Sequence, residues 1–372
     1  MDIILHLTHD CQLACAYCYG GRKRRSPMGW DVARAAIDLA FRRSDARSPF
    51  QIGFFGGEPL LEFPLLQACV ARAESTATET GKTVRMAITT NGLALDAGRA
   101  SYLQSHDIEP TLSFDGVPEA HDASRSYCDG RSSFHDTEEA MHLLRGLFPD
   151  LAICAVVSPE NVACLPASID YFLDAGITHL LLNPNFFAPW DAPALDLWRR
   201  GYEHAADRFE RACGDGRPVH INFLTAKIVT HLKGGYDPCD CCDFGGKEIA
   251  VAPSGNIYPC QRMVGEDTEK LGCMGNVFTG IEERACADIA HWREVTSPEC
   301  AACDLRRRCR NWCSCVNQRL TGRFDRVGPL VCLHERMAIE IADRVASRLF
   351  ERRDATFLET FYFEKEVAPE WV

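Results

Sequence analysis

The 372-residue chain is 46% hydrophobic and 25% charged, enough apolar material for a large core divided among two or three domains. Its net charge of −12 disfavours nucleic acid and anionic membrane as partners, and the run Arg22-Lys23-Arg24-Arg25 is too short to reverse that and reads as a solvated loop. No apolar run approaches the ~20 residues of a membrane span and no basic n-region precedes Ile3-Ile4-Leu5, so neither an anchor nor a secretory signal is expected, and the expected location is cytoplasmic.

From the amino terminus, strand-like and helix-like segments alternate as in βα units of roughly 30 residues. Strands are expected at Ile3–Thr8, Gln51–Phe55, Thr83–Thr89, Glu109–Phe114, Leu151–Val157 and Thr178–Asn183, each short, apolar and rich in β-formers. Helices are expected at Asp31–Ser44, with Asp31 as N-cap, at Glu62–Thr80 and at Asp96–Ser105. Six βα units in a row require crossover connections, and so a parallel sheet with helices outside it. The unusual residues gather after the strands: Cys11 to Cys18, then GGEP (56–59), TTNG (89–92), SFDG (113–116) and NPN (183–185). In such folds that rim carries the chemistry.

Residues 214–238 hold Gly214, Gly216, Pro218, Gly234, Gly235 and Pro238 and read as a connector. Beyond it the alternation is lost and cysteines organise the sequence. Glu335 to Arg353 is amphipathic and reads as a helix. The aromatics after Asp354 (Phe357, Phe361, Tyr362, Phe363 and Trp371) either pack on the body or cover a site.

The chain has 20 cysteines, many for a chain expected in a compartment where disulfides are disfavoured, and such clusters point to metal. In THDCQLACAYCYGG, Cys11, Cys15 and Cys18 are separated by three residues and then two. Three thiolates on one loop can ligate three irons of a [4Fe–4S] cluster and leave the fourth open. Zinc is the plainer alternative, but structural zinc wants four ligands, commonly as paired C-x₂₋₄-C.

With Tyr17 before its last cysteine, this motif resembles the signature of radical S-adenosylmethionine (SAM) enzymes. The resemblance implies a partial (β/α)6 TIM-like barrel within the α/β class, over residues 1–213. It also implies a cluster on Cys11, Cys15 and Cys18 whose open iron is chelated by the amino and carboxylate groups of SAM. Reductive cleavage then gives methionine and a 5′-deoxyadenosyl radical that takes hydrogen from a substrate. Tyr17 would pack by the adenine. GGEP resembles the family's motif for the methionyl amine, with Gly56 and Gly57 allowing close backbone approach and Glu58 supplying a carboxylate to the ammonium. TTNG and LSFDG resemble segments near the ribose and carboxylate, which implies Asn91, Ser113, Asp115 and Arg125.

A second set follows the connector. Cys242, Gly255 and Cys260 are spaced as C-x₁₂-G-x₄-C, then come Cys300, Cys303, Cys309 and Cys313 at spacings two, five and three, with Cys332 last. Cys300 and Cys303 alone would suit a zinc ribbon. The whole pattern resembles the SPASM domain, which implies two auxiliary [4Fe–4S] clusters in residues 239–334, three clusters in all, followed by a C-terminal helix and tail (335–372). By that analogy one auxiliary cluster uses Cys242, Cys260 and Cys313, with Cys239 favoured over Cys241 as the fourth ligand, or with that iron left open. The other uses Cys300, Cys303, Cys309 and Cys332. Cys69, Cys128, Cys154, Cys164, Cys213, Cys273, Cys286 and Cys315, with one of Cys239 and Cys241, then have no assigned role and read as inert thiols, Cys273 and Cys315 near the clusters being the alternatives as ligands. Arg306, Arg307, Arg308 and Arg310 raise cluster potentials, meet an acidic partner, or form a solvated face.

The expected reaction is radical modification or crosslinking of a ribosomally made precursor peptide. The electron would come from a reductant such as flavodoxin or ferredoxin, and the leader would be bound by a separate protein or by the enzyme body. Sulfatase maturation, small-molecule oxidation and plain electron transfer are the alternatives. Sulfatase maturases of this family carry Asp after the Gly-x₄-Cys cysteine; here Gln261, which is no base, stands there. Asp10, Asp115 and His121 are candidate bases that spacing does not separate.

Overall fold

The computed structural model describes residues 1–45, 48–237, 242, 244–267, 272–294 and 297–362. The βα part runs β1 (Asp2–His6), α1 (Trp30–Arg43), β2 (Phe50–Phe55), α2 (Phe63–Thr80), β3 (Val84–Thr90), α3 (Ala97–Ser105), β4 (Ile108–Ser113), α4 (Pro118–Asp122), α5 (Phe134–Leu147), β5 (Ala152–Val157), α6 (Leu165–Asp174), β6 (His179–Pro184), α7 (Ala192–Gly214), β7 (His220–Ile221) and α8 (Asn222–Lys233). The remainder holds β8 (Glu248–Val251), β9 (Asn256–Tyr258), β10 (Gly275–Asn276), β11 (Gly280–Ile281), α9 (Glu283–Glu294), α10 (Pro298–Ala301), α11 (Ser314–Thr321), α12 (Pro329–Glu351) and α13 (Ala355–Tyr362). All six expected strands form, each within a residue or two of its expected ends. Among the described residues, no helix is long and apolar enough to cross a membrane.

Two compact units form. The first comprises Met1–Ser113, Arg125–Leu151 and Cys242–Val295. In it β1, β2, β3 and β4 pair in parallel, with Leu5 beside Phe54 and Ile52 beside Met86. Ile3, Leu5, Ile52, Phe54 and Ile88 are buried, as expected of parallel strands covered on both faces. On the other side of β1 lies β8, also parallel, and β8 to β11 continue as an antiparallel meander. The segment carrying Cys260 therefore extends the same sheet that carries the first cysteine loop.

The second unit comprises Phe114–Ser124, Ala152–Cys241 and Thr296–Val372. Here β5, β6 and β7 are parallel, and α12 packs on α7 and α8. The stretch read as a connector contains β7 and α8, whose Phe223, Leu224 and Ile228 are buried. Its glycines mark helix ends more than irregular chain. α12 starts six residues ahead of the expected helix, at Pro329, so Cys332 lies in its first turn. In the tail Phe357 is fully buried, which is packing; Phe363 and Trp371 lie outside the described residues.

One cap differs from expectation. α1 begins at Trp30 with Gly29 as N-cap, so Asp31 sits inside the first turn, where its charge still complements the helix dipole. Asp96 caps α3 through its side chain, which accepts from the Arg99 N–H at 2.8 Å.

Candidate active site

The loop after β1 is held by the GGEP turn after β2. The N–H groups of Gly57 and Glu58 donate to the carbonyls of Thr8 and Asp10, each at 2.8 Å. A Cβ on Gly57 would lie 2.0 Å from the Asp10 carbonyl oxygen, and one on Gly56, at φ +137°, would lie 2.5 Å from that of Thr8. The close approach these glycines allow is thus to the cysteine loop itself. Gly57→Ala is expected to cost at least the roughly 1–3 kcal/mol typical of overpacking, because backbone cannot step aside. Reconstituted Gly57→Ala should lose iron to a chelator faster than wild type, and equal rates would refute the packing account.

Glu58 is 1% exposed. Its carboxylate accepts from Leu60 N–H at 3.0 Å, from the Thr90 hydroxyl at 2.7 Å and from Asn91 N–H at 2.7 Å. Burial pushes its pKa above the usual carboxylate range, against those three hydrogen bonds and the charge of Arg99. Glu58 thereby ties the end of β3 to GGEP. Asn91, presented by that tie, aims its amide nitrogen at the Cys11 sulfur, 3.6 Å away, and at the Gln12 side-chain oxygen, 3.4 Å away. The Arg125 guanidinium lies over the Tyr17 ring at 5.3 Å.

Cys11, Cys15, Cys18, Tyr17, Gly56, Gly57, Glu58, Asn91, Ser113 and Arg125 all belong to the first unit. Asp115 belongs to the second, where its carboxylate accepts from Val156 N–H at 2.9 Å and its own N–H lies 3.4 Å from His121 Nδ1. His121 is fully buried.

The basic run is only partly solvated. Lys23 donates to the Cys18 sulfur at 2.9 Å. Burial works to lower the Lys23 pKa, but the sulfurs of Cys18, Cys11 and Cys15 outweigh it and hold the ammonium above the usual lysine range. All three thiols therefore lie within electrostatic reach of one cation. Burial, foremost, pushes the Cys11 thiol up to about 12, so its proton leaves when a metal takes the sulfur. Three soft donors on one loop, none in a disulfide, fit three irons of the cluster the sequence implies.

Cys300, Cys303, Cys309 and Cys332 all lie in the second unit. Burial, followed by the charge of Glu335, raises the Cys309 pKa, and Cys300 and Cys332 also contribute. Arg336 feels Cys332, Cys303 and Cys309, and its guanidinium lies 3.8 Å from the Cys303 sulfur. These are the four cysteines that the resemblance implies for one auxiliary cluster, and four thiolates are a ligand set such a cluster takes. For the other, Cys242 and Cys260 lie in the first unit and Cys313 in the second; the Cys313 sulfur is 3.8 Å from that of Cys315. Cys239 and Cys241 lie outside the described residues. Among the described residues, no three His, Cys, Asp or Glu side chains gather tightly enough for a single metal ion. Cys69 and Cys213 are buried and pushed up to about 12 by burial, as inert thiols are.

Several residues here carry no sequence signal of their own. Lys227 and Glu335, each 2% exposed, pair at 2.5 Å. Lys227 also donates to the Arg308 carbonyl at 2.7 Å, and Glu335 accepts from Arg310 N–H at 2.7 Å. The pair thus grips the backbone on both sides of Cys309. Arg308 is a fork on Asp343, at 2.8 and 2.6 Å, not a solvated side chain.

The Radical SAM superfamily model matches residues 5–184. An uncharacterized protein of Methanocaldococcus jannaschii is 30% identical, over 74% of this chain and 88% of its own length. The serine-type anaerobic sulfatase-maturating enzyme of Klebsiella aerogenes is 25% identical, over 85% of this chain and 81% of its own. The PqqA peptide cyclase of Xanthomonas oryzae pv. oryzae is 26% identical, over 89% and 87%. The solved structure of native anSMEcpe with bound AdoMet and Cp18Cys peptide superposes with a TM-score of 0.80 at 18% identity, covering 94% of this chain and 99% of that one. The fold is thus the α/β, partial TIM-like barrel that the family resemblance implied, with a helical C-terminal part.

Proposed function

Because this chain belongs to the radical SAM superfamily and is an enzyme of that kind, we propose that it uses a radical generated from SAM to modify or crosslink a ribosomally made peptide. When bound, the cluster supplies the electron that cleaves a carbon–sulfur bond of SAM, leaving methionine and a 5′-deoxyadenosyl radical. The residues of this chain hold and orient. Cys11, Cys15 and Cys18 bind the cluster. Glu58 positions Asn91 beside Cys11, and Arg125 with Tyr17 offers a flat cationic surface for the adenosyl part. The thiols of Cys300, Cys303, Cys309 and Cys332 bind one auxiliary cluster. By the same resemblance, Cys242 and Cys260 would serve a further auxiliary cluster. A flavodoxin or ferredoxin supplies electrons.

The observation that carries the reading is the contact of Lys23 with the Cys18 sulfur on the three-cysteine loop, with Asn91 beside Cys11 and the GGEP turn holding that loop. Peptides are favoured as substrate because one relative is a PqqA peptide cyclase and because Gln261 cannot take a proton. Sulfatase maturation is the second reading, favoured by the Klebsiella relative. The test is to give the anaerobically reconstituted, reduced enzyme SAM together with peptides encoded beside its gene, or with a sulfatase peptide. Formation of 5′-deoxyadenosine with a precursor that loses two hydrogens is expected. Formylglycine in the sulfatase peptide would select the second reading, and no 5′-deoxyadenosine with any reductant would leave electron transfer.

A further inference from the structure

Lys23 reaches the Cys18 sulfur because its neighbours are pinned. Glu266 accepts from Arg22 N–H at 2.6 Å and from the Arg24 guanidinium at 3.1 Å, and its own carbonyl accepts from Arg24 Nη2 at 2.6 Å. Arg24 N–H adds a bond to the His9 carbonyl at 3.4 Å. With residues 22 and 24 fixed, the side chain between them points back at the cysteine loop. The packing is close: a Cβ on Gly21 would lie 2.9 Å from the Glu266 carboxyl group. Glu266 itself follows Cys260 on the segment leaving β9, and Arg262 of that segment lies over the Tyr19 ring at 5.0 Å. The next residue, Asp267, pairs with His9 at 3.9 Å. Three contacts thus bind the segment after Cys260 to the loop holding the first three cysteines, all inside the first unit.

We infer that Lys23 is a charge-setting residue for the three-cysteine site: its ammonium, aimed by Glu266, favours the reduced and more negative state of the cluster held there, and so sets how readily that cluster takes an electron. The inference rests on the reading above that Cys11, Cys15 and Cys18 hold a [4Fe–4S] cluster. A fixed cation beside a sulfur ligand lowers the free energy of added negative charge, and the potential of such clusters follows the charge and hydrogen bonds at their sulfurs. Because Glu266 lies on the segment that also carries Cys260, any movement of that segment would change the field at the first site.

The test is a redox titration of anaerobically reconstituted protein with dithionite, followed by electron paramagnetic resonance. The signal that changes on adding SAM identifies the first cluster. At a fixed solution potential, Lys23→Met should lower its reduced-to-oxidised ratio about tenfold, a fall of about 59 mV for a one-electron couple. Lys23→Arg should stay near wild type, and Glu266→Ala should shift the ratio in the same direction as Lys23→Met but less. Iron and sulfide should be unchanged in all three. An unchanged potential in Lys23→Met, or loss of iron from it, would overturn the inference. If the triple Cys11, Cys15 and Cys18 alanine variant, run in parallel, keeps all its iron, the reading beneath it falls instead.

Discussion

Replacing Cys11, Cys15 and Cys18 together by alanine is expected to lower bound iron from about twelve per chain to about eight and to abolish 5′-deoxyadenosine formation, since four irons go with one cluster. No larger change in activity is expected from any substitution, because it removes the group that delivers the electron while leaving the fold. The three side chains lie outside the hydrophobic core, Cys18 exposed and the other two half-buried. The backbone around them is held independently. Leu7 N–H bonds to Phe55, Gly57 N–H to Thr8, Glu58 N–H to Asp10 and Ala14 N–H to Ser126. The far-ultraviolet circular dichroism of the triple variant should therefore match wild type. Full iron in that variant would show that the cluster is not where the thiols are. Iron of about four in place of eight would mean that an auxiliary site depends on the first.

Lys227→Met should be the most destabilising single change. It leaves the Glu335 carboxylate buried without its cation, and breaking a buried pair this way costs about 3–5 kcal/mol. Adding Glu335→Leu removes the orphaned charge, so the double variant should recover much of that loss. Thermal unfolding of the three proteins decides it. A double variant no better than the single would show that the hydrogen bonds to Arg308 and Arg310 matter more than the charges. The pair also makes stability depend on pH. Burial works to raise the Glu335 pKa, but the hydrogen bond with His334 and the charge of Lys227 prevail and hold it far below the usual carboxylate range. An acid depressed in the folded state stabilises fully above its unfolded value, about 4.3, and loses that contribution as pH falls further. His334 on its own helix, Lys227 from α8, and the Arg310 N–H and the Cys309 thiol from the loop before α11 face this carboxylate. Wild type should therefore lose stability steeply below about pH 4, and the double variant should lack that component.

Much of this was written locally. A strand such as Ile3–Leu5 announces itself by apolar residues and β-formers over a few positions, so the six expected strands were legible, whereas the two-residue β7 and the four-residue β8, also parallel, were too short to be. The cysteines were legible because ligation needs one residue type at short spacings, and GGEP and TTNG because they close strands. The quartet of Cys300, Cys303, Cys309 and Cys332 was set out by spacing and analogy alone. α8 was missed because glycines and prolines at both ends of a short helix look like a connector. The start of α12 carries no amphipathic cue: Pro329 is a good first helical residue but a breaker anywhere else in a helix.

The alternation of strands and helices, the motifs that follow the strands and the spacing of the thiols are thus all local. Those are properties of neighbouring residues and need no knowledge of what lies across the molecule. Tertiary structure alone decided that Glu58 braces Asn91, that β8 to β11 extend the sheet of the first cysteine loop, that Glu266 aims Lys23 at Cys18 and that Lys227 meets Glu335. Each of these joins residues remote in the chain, and a carboxylate or an ammonium finds such a partner only where folding has removed the water that would otherwise satisfy it.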